Sequence, residues 1–194
     1  KAVIFDLDGT LIDSLGDIHA ALNDVLQLRN APPLMLAAVR DLIGKGSANL
    51  VRRALTARNL PIDEASCTSA LADFLRLYSA DSAKLTTIFD GAIDALDRLQ
   101  GDGFCLGICT NKPLAPTKTV LDQFGLTRFF DTIVGGDQLA SRKPDPAMLF
   151  HSMACLGTTS CLFVGDSEVD RETAAAAGQP FALFTKGYRT SSIE

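Results

Sequence analysis

The stretch Ala2-Val3-Ile4-Phe5-Asp6-Leu7-Asp8-Gly9-Thr10-Leu11-Ile12-Asp13-Ser14 constrains this chain more than any other. An uninterrupted apolar run of this length, leading into acids, fits a strand buried on both faces of a parallel sheet. An open α/β sheet binds its ligand outside the carboxyl ends of its strands, and Asp6 and Asp8 stand at such an end. Gly9 lets the backbone turn sharply there. Two carboxylates this close repel unless a cation lies between them or one is protonated. A hard divalent cation with oxygen ligands is the expected occupant. Asp-x-Asp-Gly also opens calcium loops, but those lie between helices and continue into a ladder of acidic ligands. Here a strand precedes the acids and the ladder does not continue.

The pattern beyond residue 84 sets the fold class. Apolar runs at Phe104 to Cys109, Phe129 to Val134, Cys161 to Val164 and Phe181 to Phe184 read as strands. Helical spacing fills the intervals: Ile93, Leu96 and Leu99 after Asp90-Gly91, then Val120, Leu121 and Phe124 up to Gly125. A further helix is expected through Leu156, with Asp145 as N-cap and Pro146 at its first position. Ser167 is expected to cap an Ala-rich helix that stops at Gly178. Strands alternating with helices in this way predict a doubly wound, Rossmann-like parallel sheet with right-handed crossovers, an α/β fold.

From Ser14 to Ala83 the pattern is helical throughout. Ile18, Ala21, Leu22, Val25 and Leu26 share one face, and Pro32-Pro33 ends that helix. A short run follows from Leu36 to Ile43. Ser47 is expected to cap a helix striped by Leu50, Val51, Ala54 and Leu55, and Asp63 to Tyr78 carries Leu71, Phe74, Leu75 and Tyr78. The expected organisation is an α/β core of residues 1–13 plus 84–194 and an inserted helical-bundle cap of residues 14–83.

The chain has 194 residues, enough for one core and a small second lobe. Its net charge of −5 argues against a nucleic-acid partner and leaves an anionic substrate to local cations and metal. No apolar run reaches membrane-spanning length, and the chain enters its first strand without a leader pattern. Cys67, Cys105, Cys109, Cys155 and Cys161 form no Cys-x-x-Cys pair, and Cys105, Cys109 and Cys161 fall in apolar runs. Buried, unpaired thiols in a reducing cytoplasm are expected.

Three further polar clusters follow strands. In Cys109-Thr110-Asn111-Lys112, a hydroxyl and free backbone N–H groups can hold phosphate oxygens. In Lys143-Pro144-Asp145-Pro146, the lysine opposes the macrodipole of the coming helix, so helix stability does not explain it. In Val164-Gly165-Asp166-Ser167-Glu168-Val169-Asp170, Asp166 stands at a strand end and can complete a Mg²⁺ site with Asp6. Asp170 lies one turn on and faces the same way, though an acid there also suits the helix dipole.

Taken in order, these four motifs resemble the haloacid dehalogenase-like hydrolases, most of which are phosphatases. Gly44-Lys45-Gly46, Leu50 to Leu55, Thr110-Asn111-Lys112-Pro113 and Gly135-Gly136-Asp137 are most similar to the phosphoglycolate phosphatase branch. Asp90 stands where the family carries a proline. The resemblance implies a Mg²⁺-dependent phosphomonoesterase. Asp6 would be the nucleophile and form an aspartyl phosphate, and Asp8 would be the general acid and base. Lys143 would offset charge, and Thr110 with the Asn111 backbone would bind the phosphoryl group. Asp6, Asp166 and the Asp8 backbone carbonyl would hold the metal, with Asp170 in a supporting place.

The substrate is expected to be a small phosphorylated acid such as 2-phosphoglycolate, with no nucleic acid or membrane involved and a monomer or homodimer at work. Lys45, in the loop between two cap helices, is the expected cation for its carboxylate, with Arg53 next. A sugar-phosphate phosphatase or phosphomutase of the same fold is the alternative. A phospho-aspartate signalling domain fits less well, because it needs neither Asp8 nor a helical insert of this size.

Overall fold

A computed structural model describes residues 1–80 and 83–192. Residues 81 and 82, beside the expected boundary between cap and core, and residues 193 and 194 lie outside the described residues. The chain opens with strand β1, Ala2–Phe5, and a two-residue strand β2, Ile12–Asp13. Helices α1, Leu15–Gln27, α2, Leu36–Arg40, α3, Ser47–Ala57, and α4, Glu64–Ala80, follow. The remainder alternates: β3 (Thr87–Ile88), α5 (Ala92–Gly101), β4 (Cys105–Cys109), α6 (Leu114–Gln123), β5 (Thr132–Val134), α7 (Ala147–Cys155), β6 (Leu162–Gly165), α8 (Glu168–Ala176) and β7 (Phe181–Leu183).

Five strands form one parallel sheet in the order β5-β4-β1-β6-β7. The chain builds outward from β1 to β5 on one side, then returns to β6 on the other. That reversal opens a crevice beyond the carboxyl end of β1, where a sheet of this kind places its ligand. All four residues of β1 are buried. Side chains alternate across a strand, so Val3 and Phe5 join one apolar cluster with Leu106, Ile108 and Leu121. Ala2 and Ile4 join another, with Met148, Leu149 and Phe163. This is why the run lacks polar alternation: each face has a helical layer over it. Burying each large aliphatic side chain contributes about 1.5–3 kcal/mol.

A third apolar cluster belongs to the helical segment, with buried members from Ile18 to Tyr78 that include Leu22, Leu26, Leu55 and Phe74. The two connections to this segment pair with each other. β2 and β3 form an antiparallel ribbon with Ile12 opposite Ile88 and Asp13 opposite Thr87. The buried Asp17 carboxylate reinforces it, accepting from Leu85 N, Thr86 N and the Thr86 hydroxyl at 2.9, 2.8 and 2.5 Å. Neither ribbon nor brace is visible as periodicity, because two-residue strands have none.

Several local expectations shift. Gly46, with φ of 80°, takes the N-cap place expected of Ser47, which becomes the first helical residue. Pro146 is the N-cap of α7, one place later than expected, and Asp145 Oδ1 still accepts from Ala147 N at 2.9 Å. The expected strand from Phe129 splits into a 3-10 turn, Thr127–Phe129, and β5. Phe129 is 2% exposed in the cluster under α6, which draws the chain out of extended geometry. Cys109 and Cys161 are buried as expected, but Cys105, at the start of β4, is exposed.

Candidate active site

Asp6 is the first residue beyond β1. Its backbone N–H donates to Val164 O, so the ladder with β6 holds it in line. Lys143 Nζ lies 2.8 Å from Asp6 Oδ1 and 2.7 Å from Asp170 Oδ1, and the Lys143 side chain is 1% exposed. Desolvation opposes the lysine charge, but Asp170 and then Asp6 more than offset it and raise its pKa. Asp170, at 0% exposure, completes a capping box on α8: its Oδ2 accepts from Ser167 N, while Ser167 Oγ accepts from Asp170 N. One carboxylate thus both caps α8 and pairs with Lys143.

Asp166 follows β6. Its Oδ1 accepts from the Thr10 hydroxyl at 2.8 Å and its Oδ2 from Tyr188 N at 2.6 Å. Gly9 turns with φ of 89°, and a Cβ there would stand 2.6 Å from Asp166 Oδ2. A side chain at position 9 would therefore push into this carboxylate as well as strain the turn.

Oxygens of Asp6, Asp166 and Asp170 all lie within 4.8 Å of one another. Burial pushes Asp6 up to about 6, with Lys143 opposing and Asp170 adding to the rise. Burial, then the charges of Asp6 and Asp170, push Asp166 up to about 7. Asp6 Oδ1 is buried, and Lys143 Nζ at 2.8 Å is the charged group that meets it. Three buried carboxylates gathered this closely, two of them with raised pKa, are a donor set suited to a hard divalent cation. Each carboxylate of the cluster also has protein partners: Asp170 serves Lys143 and Ser167, Asp166 accepts from Thr10 and Tyr188, and Asp6 meets Lys143. Cys109 is pushed up to about 12 by burial, so its thiol offers no nucleophile here.

The side chain of Asp8 takes a different course from that of Asp6. Lys112 Nζ contacts its Oδ1 at 3.0 Å and its Oδ2 at 3.2 Å, and the Ser14 hydroxyl donates to Oδ1 at 2.6 Å. Lys112 also donates to the Tyr78 hydroxyl of α4 at 2.5 Å. The two aspartate side chains thus meet separate lysines, Lys143 for Asp6 and Lys112 for Asp8. Lys112 and Tyr78 were in view in the sequence without a role. Only the position of Lys112 in the loop after β4 hinted at one.

Thr110 and Asn111 follow β4 and are buried. The Thr110 hydroxyl accepts from Lys112 N at 3.2 Å. The Asn111 side chain spans two loops, donating to Gly44 O at 2.9 Å and Lys143 O at 3.0 Å while accepting from Lys143 N at 3.0 Å. It thereby ties the Lys143 loop to the loop after α2. Lys45 and Arg53 are exposed, and Arg53 donates to Asp41 O at 2.9 Å. Both line an open cleft that Asp6, Asp8 and Asp166 also line.

Known proteins resemble this chain along nearly its whole length. The model for the haloacid dehalogenase-like hydrolase family matches residues 3–184. A phosphoglycolate phosphatase of Cereibacter sphaeroides strain ATCC 17029 is 46% identical over 191 residues, spanning 98% of this chain and 88% of the relative. A phosphoglycolate phosphatase of Pseudomonas putida strain KT2440 is 43% identical over 192 residues, spanning 97% and 70%. The crystal structure of a predicted phosphoglycolate phosphatase from Haemophilus somnus 129pt superposes with a TM-score of 0.90 at 29% identity, covering 99% of this chain and 88% of that one. With Lys143, Asp166 and Asp170 gathered around Asp6 and the family model spanning nearly its whole length, this chain belongs to the haloacid dehalogenase-like hydrolases.

Proposed function

We propose that this protein is a Mg²⁺-dependent phosphatase that hydrolyses a small phosphorylated acid, 2-phosphoglycolate, through an aspartyl-phosphate intermediate. The observation that carries the reading is the Asp6 carboxylate: buried at the carboxyl end of the central strand, with Lys143 Nζ 2.8 Å away and oxygens of Asp166 and Asp170 within 4.8 Å. The substrate follows the names of the relatives at 46% and 43% identity.

Asp6 attacks phosphorus, a P–O bond to Asp6 forms, and the ester P–O bond breaks. Asp8 gives its proton to the departing alkoxide oxygen. Asp8 then takes a proton from water, whose oxygen attacks phosphorus. The bond to Asp6 breaks and inorganic phosphate leaves. Lys143, the Thr110 hydroxyl and the Asn111 backbone N–H hold the phosphoryl oxygens as charge moves across them. Asp6, Asp166 and the backbone carbonyl of Asp8 would hold Mg²⁺, which would supply charge neutralisation at those oxygens. Lys45 and Arg53 stand at the mouth, where exposed cations draw an anion toward an acidic site.

The same reading divides the chain into a core of residues 1–13 and 84–194 and a cap of residues 14–83. The apolar cluster internal to α1, α3 and α4 supports this division. Unpaired thiols suit a reducing compartment such as the cytoplasm, and no described helix is long and apolar enough to cross a membrane. The test is phosphate release from a panel of phosphomonoesters with and without Mg²⁺. Release dependent on Mg²⁺ and highest for 2-phosphoglycolate supports the reading. Relocation of phosphate within a sugar phosphate, without release, overturns it.

A further inference from the structure

The cation for the substrate's carboxylate need not be at the mouth, because one is buried beside Asp8. A small apolar pocket, of about 70 Å³, lies where α1, α3 and α4 face the loop after β4. Its walls include Ile18, Ile43, Leu50, Phe74 and Leu75, and it reaches Asp6 and Asp8. Among the described residues lining it, Lys112 is the only lysine or arginine.

Resting on the phosphatase reading above, we infer that Lys112 is the residue that recognises the substrate's carboxylate, and so selects a phosphorylated acid over a neutral phosphomonoester. Three observations lead there. The first is reach. Asp8 must come within about 2.6–3.2 Å of the ester oxygen to protonate it, and Lys112 Nζ is 3.0 Å from Asp8 Oδ1. In 2-phosphoglycolate the carboxylate carbon is bonded to the carbon that carries the ester oxygen, so a cation touching Asp8 lies within range of both groups. The second is capacity. An ammonium has three N–H donors; they reach Tyr78, Asp8 Oδ1 and, at 3.2 Å, Asp8 Oδ2, and since Oδ1 also keeps the ammonium, the N–H on Oδ2 is the one a substrate carboxylate would take.

The third is environment. Lys112 and Asp8 side chains are 5% and 13% exposed, and burying a carboxylate among apolar walls is unfavourable unless a charged donor meets it. Lys45 and Arg53 face a cleft that also carries Asp41, Glu168 and Glu172, where a carboxylate meets like charge. Tyr78 holds Lys112 from above, with Nζ 4.4 Å from its ring centroid. A group fixed in this way discriminates by position as well as charge.

The experiment compares kcat/KM for 2-phosphoglycolate and ethyl phosphate, which has the same carbon count but no carboxylate. Wild type should prefer 2-phosphoglycolate. Lys112→Met, through its contact with Asp8, lowers both rates, but it should also reduce the preference roughly 10- to 100-fold; Lys112→Arg should restore part of it. In an Asp6→Asn background, calorimetric titration should show the Kd for 2-phosphoglycolate raised by a similar factor in Lys112→Met, with that for ethyl phosphate little changed. If Lys112→Met does not yield folded protein, Lys112→Gln reads the same ratio. Equal losses on both substrates, with the preference intact, would make Lys112 a support for Asp8 alone and overturn the inference. A wild type that hydrolyses phosphomonoesters with no preference for the acid defeats the substrate reading and this inference together. A wild type that releases no phosphate from any phosphomonoester defeats the function itself.

Discussion

Lys143 and Asp170 form a buried ion pair, Nζ to Oδ1 at 2.7 Å, with side chains 1% and 0% exposed. The lysine reaches on to Asp6 while the aspartate caps α8 through Ser167. The pair therefore joins the start of a helix to the proposed nucleophile.

Breaking this pair on one side leaves a buried charge without its partner, which costs about 3–5 kcal/mol. Lys143→Met should lower both activity and thermal stability. The double variant Lys143→Met/Asp170→Asn should recover much of the stability but none of the activity. Thermal melts and phosphate release on the four proteins of the cycle measure this. Recovery of activity in the double variant would contradict the placing of Lys143 on the phosphoryl group.

Asp6→Asn should abolish turnover with the fold intact, because a carboxamide cannot form the aspartyl phosphate. Beryllofluoride with Mg²⁺ should bind wild type as an analogue of the intermediate and fail to bind the variant. Circular dichroism, phosphate release and ¹⁹F NMR decide it. Substantial turnover by the purified variant would remove Asp6 as nucleophile.

Metal binding should show in the pH dependence of stability. Asp6 and Asp166 are raised to about 6 and about 7 from an ordinary 3.8, mainly by burial. The folded state thus holds their protons more tightly than the unfolded chain does. Their contribution is fully present below pH 3.8 and lost as pH rises through about 6 to 7. A divalent cation replaces those protons. The rise in Tm on adding Mg²⁺ to chelated protein should therefore be larger at pH 7.5 than at pH 5. An equal rise at both values would argue against a site built on these carboxylates.

Lys45→Ala and Arg53→Ala should lower kcat/KM several-fold at low ionic strength, with the loss shrinking as salt screens exposed charge. The loss from Lys112→Met, a buried group, should hardly respond to salt. Rate measurements across a salt series separate the two behaviours.

Tyr188 ties a C-terminal loop to the start of α1. Its hydroxyl accepts from Ser14 N at 2.8 Å and Leu15 N at 3.1 Å and donates to Asp13 Oδ1 at 2.7 Å. Tyr188→Phe leaves these groups without their partner, at a cost of about 1–3 kcal/mol. Tm should fall by roughly 2–12 °C, which a calorimetric scan would detect.

The parallel sheet and the helical segment were legible in the chain because hydrophobic periodicity is a local property. Four buried residues in β1 can only be a strand covered on both faces, and the stripe of Ile18, Leu22 and Val25 can only face a partner helix. Asp6, Thr110 and Asp166 were legible as strand-end residues, since the topology gathers carboxyl ends of strands into one crevice, whereas Lys143, nine residues beyond β5, is brought there by its loop. What remained hidden depends on contacts between residues far apart in the chain. The β2–β3 ribbon pairs Ile12 with Ile88, two strands too short to carry a period. Lys112 meets Tyr78 only because α4 packs over the loop after β4, and Tyr188 meets Ser14 only because the chain returns to its beginning. A lysine after a strand reads the same whether solvated or buried. Its burial, its partner carboxylate and the cavity beside it are decided by packing, which local pattern does not encode.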